Sequence, residues 1–182
     1  MVQIILEGTD GVGKTTLANE LTKVFNFKIV HFPLKGDPKK YNVNSRDEFI
    51  LTMIDEMKDY YNLDRIIFDR WSISTIIYQK VTREDPFYYK LLSLLRDDVL
   101  YVCVEDRRIE SFNYCTKFEM IMKDKGIDPT HYLIINYKDS PNLTIKRIIN
   151  QLTKIEEGEK ETVFEEVTKD KIFNFFEKLY KK

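Results

Sequence analysis

The chain has 182 residues, 43% of them apolar and 32% charged, which gives a single compact domain enough apolar surface for a core of its own. Twenty-nine basic residues against thirty acidic ones leave a net charge of −1, which excludes the broad positive field that gathers nucleic acid or acidic membrane, so any anion must be held locally. Two cysteines, Cys103 and Cys115, lack the spacing of a metal site or disulfide framework and read as reduced, semi-buried thiols of a cytoplasmic protein, and no apolar run long enough for export or a membrane span is present.

Short apolar runs alternate with amphipathic stretches of helix length, the pattern of parallel strands joined by right-handed helical crossovers. "QIILE" predicts a strand over 3–7, followed by a helix over 14–25. A strand over 27–32 leads to a helix over 45–61, whose "SRDE" start resembles a capping box. The strand "DRIIFD" (64–69) is followed by helices over 72–81 and 86–96, and Pro86 suits a first helical turn. "DVLYVCV" (98–104) and "HYLIIN" (131–136) complete five strands, with helices over 109–125 and 141–153 after them. The charged stretch 154–162 reads as a linker to a last helix over 164–181. There Val163, Val167, Ile172, Phe175, Phe176 and Leu179 recur at three- to four-residue spacing, so 163–182 is expected to pack on the single domain 1–182.

Between the first strand and the first helix lies "EGTDGVGKTT" (7–16). Gly8, Gly13, Lys14 and Thr15 fit G-x-x-x-x-G-K-[ST], the phosphate-binding loop, in the context its mechanism requires. Glycines let the backbone curl so that successive N–H groups face one anion, the helix adds its positive end, and the lysine ammonium reaches the outer phosphates. Thr15 would present its hydroxyl to Mg²⁺. The expected fold is therefore α/β, the three-layer P-loop NTPase fold with a five-stranded parallel sheet flanked by helices, and the expected anion is a nucleoside triphosphate.

A second constellation stands at the end of the third strand, where ligand crevices open in parallel sheets. Asp69 can serve the Mg²⁺ shell and Arg70 can act as a forked donor to a second phosphate. A structural ion pair between the two is the alternative reading.

Together the two motifs resemble those of the thymidylate kinase family. "EGTDGVGKTT" matches every fixed position of the family's E-G-x-D-G-x-G-K-T-T loop. "DRWSISTIIYQ" (69–79) is similar to D-R-Y-x-x-S-x-x-A-Y-Q, with Trp71 in place of tyrosine, and "HFPLK" (31–35) is similar to F-P-x-R, with Lys35 at the arginine position. "RRIESFNYCTKFEMI" (107–121) resembles the D-R-I-E stretch after the family's lid. The resemblance implies a homodimeric, ATP- and Mg²⁺-dependent kinase of a deoxynucleoside monophosphate, dTMP or a relative. It implies an ATP loop of Gly8, Asp10, Gly11, Val12, Gly13, Lys14, Thr15 and Thr16, a metal site at Thr15 and Asp69, and an acceptor site of Phe32, Lys35, Asp69, Arg70, Ser74, Thr75 and Tyr78.

The chain also departs from that family. Thr52 and Glu56 align with its base-stacking phenylalanine and base-reading arginine, and a carboxylate at that place favours an exocyclic amine over a carbonyl. The lid is nearly absent between the fourth strand and the helix at 109, which leaves Arg107 and Arg108 as the cations expected to cover the transferring group alongside Lys14 and Arg70. A deoxynucleoside kinase would instead need a carboxylate base after the second strand, where the nearest acid is Asp37. A GTPase-type switch would need N-K-x-D, and "NYKD" (136–139) has those letters out of order.

Overall fold

In a computed structural model, the protein is described over residues 2–34, 38–136 and 138–158. Lys35, Asp37 and the expected helix of 163–182 lie outside these residues. Strands β1 (Gln3–Glu7), β2 (Lys28–His31), β3 (Ile66–Asp69), β4 (Leu100–Glu105) and β5 (Tyr132–Asn136) form one parallel sheet in the order β2-β3-β1-β4-β5. β1 is central and buried along its length, because both of its neighbours and both helical layers cover it. Its Leu6 lies beside Asp69 on one side and Val102 on the other. The β1 end is therefore where crossovers depart in opposite directions, the place a parallel sheet leaves open to ligands.

Helices α1 (Lys14–Phe25), α2 (Arg46–Tyr60), α3 (Ser72–Tyr78), α4 (Tyr88–Leu92), α5 (Ile109–Lys125) and α6 (Pro141–Gly158) cover the two faces. Alternation along the strands divides the core in two. Ile4, Leu6, Ile67 and Val102 pack with α1 and α6, while Ile5, Phe68, Tyr101 and Cys103 pack with α2, α3, α4 and α5. Ser45 caps α2 by accepting a hydrogen bond from the Glu48 N–H at 3.1 Å, and the Glu48 carboxylate reaches back to the Asn44 N–H at 2.7 Å, one residue outside the usual reciprocal box.

Three expectations are corrected. Residues 154–158 continue α6 rather than forming a linker, because Ile155 extends the buried stripe of Ile145, Ile148 and Leu152. α4 has five residues, since Leu91, Leu92, Leu94 and Leu95 are all buried and the chain tightens into three-residue turns, with the Leu94 and Leu95 amides bonded to the carbonyls of Leu91 and Leu92. The two thiols are fully rather than partly buried, with Cys103 Sγ 2.8 Å from Cys115 Sγ between β4 and α5. No helix among the described residues is long and apolar enough to cross a membrane.

Candidate active site

The loop between β1 and α1 curls through left-handed glycines. Gly8 has φ 135°, and a Cβ there would stand 2.5 Å from the Val104 carbonyl oxygen, so only glycine lets β1 leave the sheet so close to β4. Gly13, φ 92°, occupies the N-cap of α1 with no side-chain capping bond, which leaves the first amides of the helix for a ligand. Val12 is buried and anchors the loop, while Asp10, Gly11, Thr15 and Thr16 are exposed.

Lys14 is 6% exposed, and its ammonium folds back onto the Gly8 carbonyl at 3.1 Å and the Thr9 carbonyl at 2.7 Å. Burial, and after it the Arg70 guanidinium, holds its pKa below the usual lysine range. Arg70 approaches from the end of β3. Its Nη1 donates to the same Gly8 carbonyl at 3.0 Å, to Ser74 Oγ at 3.2 Å and to Tyr78 Oη at 3.4 Å, and its Nη2 pairs with Asp10. The guanidinium stacks on the Tyr78 ring at 5.0 Å. Two cations thus share one carbonyl oxygen, and both line a cavity of about 340 Å³ together with Asp10, Gly11, Gly13, Thr15, Thr16 and Asp69.

Arg70 reaches this position through a left-handed backbone, φ 78°. For a residue with a Cβ this costs about 1–2 kcal/mol. Its own amide is held by the Leu6 carbonyl at 2.9 Å, and the next amide, of Trp71, donates to Glu7 Oε1 at 2.9 Å. Asp69 does not pair with Arg70, which disposes of the simple ion-pair reading. Its Oδ2 accepts from Thr15 Oγ1 at 2.8 Å and lies 3.0 Å from His31 Nδ1. A hydroxyl and a carboxylate brought together below the loop are hard oxygen donors, the set that suits Mg²⁺ shared with phosphates. Among the described residues, no group of three or more His, Cys, Asp or Glu is placed to form an all-protein metal cage.

From the turn between β4 and α5, Arg108 reaches the loop and Arg107 does not contact it. Arg108 Nη2 donates to the Asp10 carbonyl at 2.7 Å and lies 3.3 Å from Thr9 Oγ1, while Asp106 braces its amide at 2.9 Å and its Nε at 2.6 Å. Arg107 is exposed, and no hydrogen bond or ion pair joins it to the other described residues. Of the residues expected on an acceptor side, Tyr78 is 45% exposed beside Arg70, whereas Ser74 and Thr75 are buried. Phe32 is a core wall, 4% exposed, with its ring centre 5.1 Å from that of Trp71. Glu56 accepts a hydrogen bond from Tyr41 Oη at 2.8 Å, and Thr52 donates to the Glu48 carbonyl at 2.9 Å, so both are engaged with protein groups.

Sequence reasoning missed three residues. His31 meets Asp69 because the two are register partners across β2 and β3, and nothing local signals it. Glu7 is 0% exposed and accepts from Trp71 N–H, from Ser74 Oγ at 2.5 Å and from Tyr114 Oη at 2.6 Å. A carboxylate directly after the apolar run Ile4, Ile5 and Leu6 was the available sign. Tyr114 carried none, since its partner is 107 residues away.

Burial pushes the Glu7 pKa above the usual carboxylate range, against hydrogen bonds from Ser74 and Tyr114 and the field of Arg70. A folded-state pKa above the unfolded one means that this group's contribution to stability is present in acid and is lost as pH rises through the folded value. Glu7→Gln keeps a carbonyl for the Trp71 amide, and the Ser74 and Tyr114 hydroxyls can turn to accept from the new NH₂. Thermal melts are expected to give this variant a higher Tm than the parent at pH 8, with the gap closing toward pH 4. A lower Tm at pH 8 would contradict the assigned direction.

No protein-family model and no curated protein matches the chain. Among solved structures, the YorR protein of Bacillus subtilis in complex with phosphorylated GDP superposes with a TM-score of 0.58 at 19% identity, covering 87% of this chain and 99% of that one. A gluconokinase from Sinorhizobium meliloti 1021 gives a TM-score of 0.52 at 7% identity, covering 86% and 94%. With the parallel sheet order and the glycine loop between β1 and α1, the fold is the three-layer P-loop NTPase fold.

Proposed function

We propose that the protein transfers the terminal phosphoryl group of ATP to the phosphate of a nucleoside monophosphate, with deoxynucleoside monophosphates, dTMP among them, as the first candidates. The observation that carries this reading is the shared Gly8 carbonyl: Lys14, from the loop, and Arg70, from the end of β3, converge on it at 3.1 and 3.0 Å, and both line one cavity. Among the described residues Lys14 has no carboxylate in an ion pair, and the ion pair of Arg70 is with the exposed Asp10, so polyanions arriving at these two cations would be stabilised.

In-line phosphoryl transfer needs placement and charge neutralisation far more than covalent help. The loop amides and Lys14 would hold the donor, and Arg70 would hold the acceptor phosphate with Tyr78 beside it. Arg108 would cover the transferring group from its station on the Asp10 carbonyl. When bound, Mg²⁺ would sit at Thr15 and Asp69 and neutralise charge on the donor's outer phosphates. An acceptor phosphate is already nucleophilic near neutrality, so the absence of a dedicated base from this reading is chemically sound. The resemblance of "EGTDGVGKTT" and "DRWSISTIIYQ" to thymidylate kinase motifs supports the same acceptor class. A guanine-reading switch gains no support from "NYKD", because Asp139 is paired with Arg147 at 3.1 Å.

Incubation with Mg²⁺, ATP and a panel of deoxy- and ribonucleoside monophosphates, alongside the corresponding nucleosides, tests the proposal. Guanosine monophosphates belong in the panel because the YorR structure carries a guanosine nucleotide. The expected result is a nucleoside diphosphate from at least one monophosphate and no product from the nucleosides. Phosphorylation of a nucleoside but of no monophosphate would replace this reading with that of a deoxynucleoside kinase.

A further inference from the structure

Arg70 is the residue on which the proposed acceptor site depends, yet nothing in its own neighbourhood on β3 explains why it turns back over the loop. The explanation lies on β1. The peptide amides on the two sides of the Arg70 Cα are held by consecutive residues of that strand, Arg70 N–H by the Leu6 carbonyl at 2.9 Å and Trp71 N–H by the Glu7 carboxylate at 2.9 Å. The second oxygen of Glu7 takes Ser74 Oγ at 2.5 Å and Tyr114 Oη at 2.6 Å, and those two hydroxyls lie 2.8 Å apart. Ser74 Oγ in turn receives Arg70 Nη1 at 3.2 Å. One fully buried carboxylate therefore fixes the backbone of Arg70 directly and its guanidinium through Ser74. Tyr114 adds the second turn of α5, the helix whose N-cap is Arg108.

We infer that Glu7 is a positioning residue for the acceptor site, holding Arg70 in its left-handed turn over the loop and, through Tyr114, tying it to the helix that carries Arg108. The inference rests on the phosphotransfer reading. Its physical content is that three donors from α3, α5 and the turn between β3 and α3 converge on Glu7, so the carboxylate links both arginines of the site without touching either substrate. Once the Trp71 amide is released, the Arg70 backbone has no reason to keep φ 78°, and relaxation to an ordinary turn swings the guanidinium off Gly8. A merely structural Glu7 would affect donor and acceptor sites alike. A positioning Glu7 affects the acceptor, because the glycine loop and Lys14 make their own contacts without it.

The test uses Glu7→Ala, which leaves the Trp71 amide and the Ser74 and Tyr114 hydroxyls without their acceptor, and Tyr114→Phe, in the 182-residue chain. For Glu7→Ala the acceptor KM is expected to rise about tenfold, the loss of one hydrogen bond to a charged group, while the Kd for ATP stays within about twofold. For Tyr114→Phe a smaller rise in acceptor KM is expected, again with ATP binding kept, and this variant carries the test if Glu7→Ala does not fold. An unchanged acceptor KM, or parallel losses at both sites, would overturn the inference. Should the parent protein phosphorylate no acceptor at all, the functional reading fails separately. The positioning claim is then still read by NMR from the Arg70 Nη–Hη signals, assigned by their loss in Arg70→Ala. Slow solvent exchange in the parent and fast exchange in Glu7→Ala support the claim, and identical exchange in both overturns it.

Discussion

Arg70→Ala is expected to lower transfer to a nucleoside monophosphate by about a thousandfold or more, the scale of removing a cation that places and neutralises one of the two reacting phosphates. The Kd for ATP should change by less than about threefold, because the donor contacts proposed above are the loop amides and Lys14. Arg70 is largely shielded, at 14% side-chain exposure, and five protein groups surround its guanidinium: Gly8, Asp10, Ser74, Tyr78 and the Tyr78 ring. Asp10, at 90% exposure, is the partner most easily displaced by an incoming phosphate. Steady-state kinetics with varied acceptor, alongside direct nucleotide binding, separates the two effects. Unchanged turnover in the variant would remove Arg70 from the site.

Lys14→Met is expected to act on both donor binding and turnover, with kcat/KM down by about a thousandfold or more. Nucleotide binding should weaken at the same time, which distinguishes this variant from Arg70→Ala. Its effect on stability should run the other way. The Lys14 pKa is lowered by burial and by Arg70, so the folded state disfavours the charged ammonium. A depressed lysine pKa means the protonated side chain subtracts from stability at every pH below the folded value. Lys14→Met removes that charge, and the Gly8 carbonyl keeps Arg70 as a donor. A Tm at pH 7 equal to or above the parent's, measured with no nucleotide present, is the expected outcome. A marked fall would mean that Lys14 serves the loop's architecture more than its ligand.

Much of this arrangement could be read in the chain before any coordinates. The glycine loop was legible because glycines, lysine and threonine at fixed spacing encode a backbone shape, and β1 and α1 fall at 3–7 and 14–25 as expected. The Asp69–Arg70 step was legible as a pair at a strand end, although not the division between them, with Asp69 facing Thr15 and Arg70 facing the loop. What stayed hidden depends on register and long-range packing. His31 reaches Asp69 only because β2 and β3 align as they do, and Tyr114 reaches Glu7 only because α5, packed against β4 and α3, brings it to the end of β1. Residues 154–158 were misread because charge between Leu152 and Gly158 masked the apolar repeat that Ile155 continues. Local composition reports solvent exposure, and it missed the one buried face that decided the element.

The central claim is that donor and acceptor phosphates meet end to end between Lys14 and Arg70. It is tested most directly by determining the structure with a bisubstrate analogue, two nucleosides joined through five phosphates, bound in place of the separate substrates. The account predicts a phosphate chain running from the amides around Lys14 to the Arg70 guanidinium, with Arg70 released from Asp10 to receive it. An analogue whose second nucleoside leaves toward solvent, with Arg70 still paired to Asp10, would contradict it.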